Sequence, residues 1–297
     1  LMSGDKILEI DGAATEGFSM TEAVKKLRGE PGTKVSLRVL RSKTQEFRTV
    51  EIERAIIEVA SVKDAKVLDQ GIGYLRITSF AEPTAEALQK ELEALEAKKI
   101  TALVLDLRNN PGGLLTAAID VSSKFLERSA VVVSTQGREE KDTQVYKAGR
   151  GKRYLDFPMA ILINGGSASA SEIVAGALKD HHRAVLIGEK SFGKGSVQSV
   201  LAMDQGAAIR LTTAKYYTPS KMVIHERGIE PDIVVPLPPE DWEAIQRQRM
   251  EADHQGEGPD GEELESESPV LEGDPVKDIQ LQRAVDVLSG ILRFSST

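Results

Sequence analysis

The residues of this chain best suited to chemistry lie in INGGSASASE, Ile163–Glu172. An apolar strand runs there into a Gly-Gly turn, a run of small residues and an amphipathic helix, EIVAGALKD. A serine at such a junction can stand exposed at the carboxyl edge of a sheet, with helix N-terminal amides nearby to favour developing negative charge. The plain alternative is that Ser167, Ser169 and Ser171 only cap the helix, which serine does well.

A nucleophilic serine needs a base. None of the four histidines, His181, His182, His225 and His254, forms HExxH, and no GxSxG elbow is present, since Gly165 is followed by Gly166, Ser167, Ala168 and Ser169. His181 and His182 follow Asp180 at a helix C-terminus, where charge and dipole give them a structural place. A lysine can replace histidine if burial depresses its pKa towards neutrality. EKSFGKGSVQ (Glu189–Gln198) supplies Lys194, between Gly193 and Gly195 after a buried strand. The flanking glycines allow close backbone packing that would hold the lysine inward; an ordinary surface-turn lysine is the alternative. Ser191 and Lys194 also fit SxxK, but that motif needs one helical turn, and Phe192 with Gly193 and Gly195 after a strand makes a loop. A third segment, DLRNNPGG (Asp106–Gly113), places glycines after a buried strand. Their N–H groups can form an oxyanion hole, or they can simply turn the chain into the next helix.

Composition narrows the classes. The 297 residues are 40% hydrophobic and 28% charged, an ordinary soluble-globular balance, with a formal charge of −8 and no basic stripe to suit nucleic acid. No apolar run approaches the roughly 18–20 residues of a membrane span. Leu1–Asp11 is patterned like folded protein rather than a signal peptide. Zero cysteines exclude a thiol nucleophile, a disulfide scaffold and a Cys-type zinc site.

The elements that must position these residues read as follows. Residues 1–53 form a small β-rich module: a strand at Lys6–Ile10, a helix at Ser19–Arg28, and half-buried strands at Lys34–Arg41 and Phe47–Arg54. The helix has a capping box, Ser19 with Glu22, and places Met20, Ala23, Val24 and Leu27 on one face. Residues 54–238 alternate strands and helices. Strands are predicted at 71–80, 102–108, 130–135, 159–164, 184–189 and 207–218, and helices at 84–99, 114–126 and 169–178, giving one layered α/β domain. Residues 239–277 are acidic and poor in aliphatics, predicting a disordered linker after a short helix around Trp242. A helix over 278–297, patterned on Ile279, Leu281, Ala284, Val285, Leu288 and Ile291, is expected to dock on its own domain or on a second subunit.

Together DLRNNPGG at 106–113, NGGSASASEIVAGALKD at 164–180, GEKSFGKGSVQ at 188–198 and YYTPS…GIEPDIVV at 216–235 resemble the carboxyl-terminal processing (tail-specific) serine protease family, in order as well as content. The resemblance implies a core of the fold class shared with the crotonases and the Clp protease subunit. It implies Ser169 as nucleophile, Lys194, 25 positions on, as general base, and Gln198 as the residue that orients or polarises the lysine. The oxyanion donors would be the Ala170 amide with that of Gly112 or Gly113, and Asp180 matches a family position tied to activity through structure. Lys221 stands where the family usually has glycine. Residues 1–53 resemble the second half of a PDZ domain; the strand and carboxylate loop that should precede Leu1 are missing, so the chain is expected to begin mid-domain. A PDZ groove captures an extended C-terminus by β-augmentation.

The implied reaction is acyl transfer in a cleft between PDZ module and core, cutting proteins near unstructured C-terminal tails, with no metal and no organic cofactor. Homo-oligomerisation, membrane association through a segment upstream of Leu1, and a periplasmic or otherwise extracytoplasmic location are further implications of the resemblance. Two rivals are weighed. A non-catalytic PDZ-type peptide-binding scaffold has no use for Ser169, Lys194 and Gln198. A crotonase-type acyl-CoA enzyme would use glycine amides at an oxyanion without needing the serine and lysine.

Overall fold

The computed structural model describes residues 5–41, 46–56, 60–203, 208–255 and 277–295. They divide into two compact units, Leu1–Ala60 and Ser61–Thr297. The sequence pattern had set that division at residue 53.

The first unit runs β1 (Asp5–Ile10), β2 (Ala13–Ala14), α1 (Met20–Leu27), β3 (Lys34–Arg41) and β4 (Glu46–Glu53). Its antiparallel sheet has the order β2-β1-β3-β4. Alternation along β3 buries Val35, Leu37 and Val39 with Ile10, while Lys34 and Arg38 stay exposed, the period-2 consequence of a half-buried strand. Helix α1 starts where its capping box predicts, the Ser19 N–H donating to Glu22 Oε2 at 2.8 Å. Its expected apolar face is only partly used. Ala23 and Leu27 pack on the sheet, but Met20 is 80% exposed and no α1 residue is fully buried. The helix is held at its far end, where the Arg54 guanidinium donates to the carbonyls of Lys26 and Leu27.

The second unit opens with β5 (Val62–Val67), β6 (Ile72–Ile77), α2 (Thr84–Ala97), β7 (Ala102–Asp106) and α3 (Leu115–Ser123). It continues with β8 (Val131–Gln136), β9 (Gln144–Lys147), β10 (Met159–Ile163), α4 (Ala170–Asp180) and β11 (Val185–Gly188). It closes with β12 (Ser196–Ala202), β13 (Ala208–Tyr217), β14 (Ile233–Val234), α5 (Pro239–Gln255) and α6 (Ile279–Ser295). Six strands pair in the order β14-β11-β10-β7-β6-β5, all parallel except β5. A second, antiparallel sheet has the order β12-β13-β8-β9.

The parallel sheet is covered on both faces, which is why its strands read as continuous apolar runs. On β7, Leu103 and Leu105 join the core formed with α2, α3 and α4, whereas Ala102 and Val104 face the other way, into the cluster holding Ala284 and Leu288 of α6. The C-terminal helix therefore docks on its own unit and supplies the layer that this second face needs.

Several elements were not foreseen. Strand β12 falls between the predicted strands 184–189 and 207–218, where none was expected; it exists because β13 pairs with it, Ser196 opposite Lys215. The helix around Trp242 is 17 residues long rather than short. Trp242, Ile245 and Arg249 share one of its faces; Ile245 is 4% exposed and Arg249 bonds Asp106, so tertiary anchoring overrides a polar composition. Of the expected linker, 239–255 is thus helical, and 256–276 lies outside the described residues. Because Leu288 is fully enclosed, Leu288→Ala is expected to cost about 2–5 kcal/mol, seen as a lower urea midpoint at unchanged slope.

Candidate active site

Two sharp turns at the carboxyl edge of the sheet bring the candidate residues together. After β10, Asn164 accepts the N–H groups of Asn109 (2.9 Å) and Gly166 (3.0 Å), and its amide donates to Asn109 Oδ1 at 3.0 Å. The Ser167 hydroxyl donates to the Leu107 carbonyl at 2.8 Å, and that of Ser171 to the Asn110 carbonyl at 2.9 Å. Both serines are fully buried, so they staple this segment to the 106–113 turn.

Ser169 differs from them. It is only half-buried, with φ 56° and ψ −111°, a strained region that costs a non-glycine residue about 1–3 kcal/mol and persists only where its surroundings enforce it. The enforcement is visible: the Ser169 N–H donates to Glu172 Oε2 at 2.8 Å, and its carbonyl accepts the amides of Glu172 and Ile173. The serine thus sits at the N-terminus of α4 with the following amide, that of Ala170, directed to the same end of the helix.

Glu172 is fully buried and binds more than the serine. Its Oε1 accepts from Ser191 Oγ (2.5 Å) and the Gly193 N–H (2.6 Å), and its Oε2 also accepts the Lys194 N–H at 2.9 Å. A carboxylate in the first turn of a helix is favoured by the helix dipole, and here its remaining capacity fixes the lysine loop by backbone. The close packing expected around Lys194 is found: a methyl group at Gly195 would lie 2.3 Å from the His225 backbone nitrogen, and Gly193 has φ +92°. The inward lysine is not found. The Lys194 side chain is exposed, because both glycines spend their freedom on backbone contacts. Gln198 is exposed as well, on β12 opposite Thr212. Ser191 and Lys194 lie in irregular backbone rather than on a helix.

Asp180 ends α4, and its Oδ2 accepts the Ser220 N–H at 2.8 Å. It braces the turn in which Lys221 takes φ +68°, a left-handed position that suits the glycine more usual there.

In the 106–113 turn, Asn110 is fully buried; its amide donates to the Ile77 carbonyl (2.8 Å) and its Oδ1 accepts the Gly112 N–H (2.9 Å). A methyl group at Gly112 (φ +99°) would lie 2.6 Å from the Ala168 oxygen, 2.8 Å from Ser169 Cβ and 2.9 Å from the Ala170 nitrogen. One at Gly113 would lie 2.0 Å from the Phe80 oxygen. Only glycine permits the turn to lie against Ser169 and Ala170. Behind the turn, Asp106 and Arg108 are both buried and paired at 2.7 Å. Burial alone would push the Asp106 carboxyl up, but Arg108 and Arg249 hold it well below the usual carboxylate range.

Ser169, Ala170 and Gly112 are therefore in direct proximity, Lys194 is tied to them through Glu172, and Gln198 and Asp180 stand outside that contact. Glu172, Asn110 and Asn164 were missed by the sequence reading. For Glu172 a signal existed, since Ser169…Glu172 repeats the S-x-x-E spacing recognised at Ser19…Glu22. Among the described residues there is no cluster of three or more His, Cys, Asp or Glu able to hold a metal ion, and no helix long and apolar enough to cross a membrane.

A covered parallel sheet with a strained serine at a helix N-terminus and glycine amides beside it is an arrangement of the serine-type peptidases. Peptidase family S41 matches residues 71–235, more than half of the chain. A carboxy-terminal-processing protease of Bartonella bacilliformis is 42% identical over 98% of this chain and 68% of its own length, and a carboxyl-terminal-processing protease of Synechocystis sp. is 42% identical over 80% and 56%. The solved structure of a photosystem II D1 C-terminal processing protease superposes with a TM-score of 0.55 at 30% identity, covering 80% of this chain and 64% of that one. This chain belongs to peptidase family S41, the carboxyl-terminal processing serine proteases.

Three outcomes are expected. Glu172→Ala strands four donors in a buried site and should lower unfolding stability by about 3 kcal/mol or more, measured by urea titration. Gly112→Ala should reduce any turnover at Ser169 at least about 10-fold by forcing the turn away from Ala170. The depressed Asp106 carboxyl contributes stability that is fully present above its unfolded value of about 3.9 and is lost as pH falls towards its folded value. The urea midpoint should therefore drop between about pH 4 and pH 2 more steeply in the wild type than in Asp106→Asn.

Proposed function

We propose that this chain is an endopeptidase that uses Ser169 as nucleophile and Lys194 as general base, cutting protein substrates near unstructured C-terminal tails. Lys194 Nζ takes the Ser169 Oγ proton as Oγ bonds the scissile carbonyl carbon. The proton passes to the leaving amine as the C–N bond breaks, and water then hydrolyses the acyl-enzyme and restores the serine. The oxyanion rests on the amides of Ala170 and Gly113; Gly112, the alternative donor, already gives its N–H to Asn110. Gln198 orients the lysine, and Asp180 acts at a distance by bracing the 218–221 turn.

The observation that carries this reading is the shared Glu172 carboxylate, which fixes the Ser169 and Lys194 backbones to one point. The Lys194 side chain is exposed, open to being covered by a bound peptide. Leu114 (49% exposed) and Phe192 (68%) flank the site in sequence and supply apolar surface for such a peptide. The β-rich module of residues 1–53 reads as part of a PDZ domain that captures the tail, and an extracytoplasmic location accords with the family.

The test is cleavage of a protein bearing an unstructured C-terminal tail. Ser169→Ala should abolish it, and parental activity in that variant would end the assignment. Lys194→Ala should also abolish turnover, with any recovery confined to high pH, and chelators should leave the wild type active.

A further inference from the structure

The turn that lies against Ser169 is held from behind by residues beyond position 235, where the match to the family ends. Asp278, at the start of α6, pairs with the Arg108 guanidinium through both oxygens, Nη1 to Oδ1 at 2.9 Å and Nη2 to Oδ2 at 2.7 Å. Nη1 also donates to Gln280 Oε1 at 3.0 Å, and Nη2 and Nε donate to Asp106. From α5, Arg249 reaches Asp106 Oδ2 at 2.9 Å, and the Trp242 ring lies 5.2 Å from the Arg108 guanidinium. Arg108 is fully enclosed in side chain, and Asp278 is 14% exposed. A bidentate arginine–carboxylate pair in such a setting is directional and tolerates little displacement.

Arg108 is not remote from the reaction centre. Its own N–H donates to Asp106 Oδ1 at 2.9 Å, and the next residue, Asn109, takes φ 52° and hands its N–H to Asn164. Three residues after Asn109 the chain reaches Gly112, in contact with Ser169 and Ala170. The guanidinium is thus the point at which the C-terminal helices grip the backbone that carries the glycine amides.

We propose that Asp278 is a positioning residue for the peptidase reaction, holding Arg108 so that the 109–113 turn keeps its oxyanion amide aligned with Ser169. The C-terminal segment of this chain is then a working part of the active site as well as a cover for the sheet. The proposal rests on the reading of that turn as the oxyanion-binding element. Since an oxyanion donor acts in the transition state, its misplacement lowers kcat and leaves KM nearly unchanged.

Asp278→Asn separates this role from helix capping. Asp278 Oδ1 accepts the Leu281 N–H at 3.0 Å, and asparagine caps as well as aspartate but forfeits the charge and the two-oxygen grip on Arg108. Expected in the full chain are a fall in kcat of about 10-fold, KM within about twofold, an equal slowing of Ser169 labelling by a fluorophosphonate, and faster amide exchange over residues 107–114. Unchanged exchange over 107–114, with α6 itself loosened, would overturn the proposal while leaving Ser169 as nucleophile untouched. So would a loss of activity that only follows the unfolded fraction. A wild-type chain that neither labels nor cleaves would instead refute the serine reading, and the catalytic part of this inference with it. If Asp278→Asn does not fold, Gln280→Ala removes one acceptor from Nη1 together with the donor to the Val235 carbonyl; there, exchange over 107–114 should rise and labelling slow two- to threefold, and no change in either would overturn the proposal.

Discussion

A single buried carboxylate organises the functional end of this molecule. Glu172 accepts four hydrogen bonds, from the N–H groups of Ser169, Gly193 and Lys194 and from the Ser191 hydroxyl. A charge placed so far from water is tolerable only when every lone pair is engaged, and that requirement fixes where the donors must be. Three consequences follow from it. The serine is held in left-handed backbone at the start of α4, the 191–194 loop is drawn over the same helix end, and two segments more than twenty residues apart share one anchor.

The second constraint is steric. Gly112 lies where any side chain would strike Ala168, Ser169 or Ala170, so the 106–113 turn and the serine turn are packed backbone to backbone. Polar staples hold that contact: Asn164 on Asn109, Ser167 on Leu107, Ser171 and Ala168 on Asn110. Each joins the strand end of β7 to that of β10, neighbours in the parallel sheet. The sheet is therefore what sets the spacing, and it keeps its own register because both its faces are filled, one by α2 to α4 and the other by α6.

The position of Lys194 shows how the site divides its labour. Its backbone is fixed by Glu172 while its side chain stays exposed, so the buried carboxylate sets the course of the loop and leaves the side chain in solvent.

Strands β6, β7, β10 and β11 of the parallel sheet, helices α1, α2, α3, α4 and α6, the Ser19–Glu22 cap and the four family segments were legible in the sequence, whereas the edge strands β5 and β14 were not. Apolar runs, helical spacing and turn residues act locally, and those signals survive without knowledge of neighbours. The candidate residues Ser169, Lys194, Gly112 and Gly113 were legible by type and order. Other features were decided only in three dimensions. Strand β12 exists because β13 pairs with it, α5 has its full length because three of its residues find anchors on the core, and Lys194 is exposed where Gly193 and Gly195 are committed to backbone contacts. Glu172 could be seen as a helix-capping glutamate, but not as the acceptor for a loop some twenty residues on, and nothing local in Asp278 announced Arg108. Local chemistry sets which residues are capable of acting; the closing of long loops onto buried charges decides which of them meet.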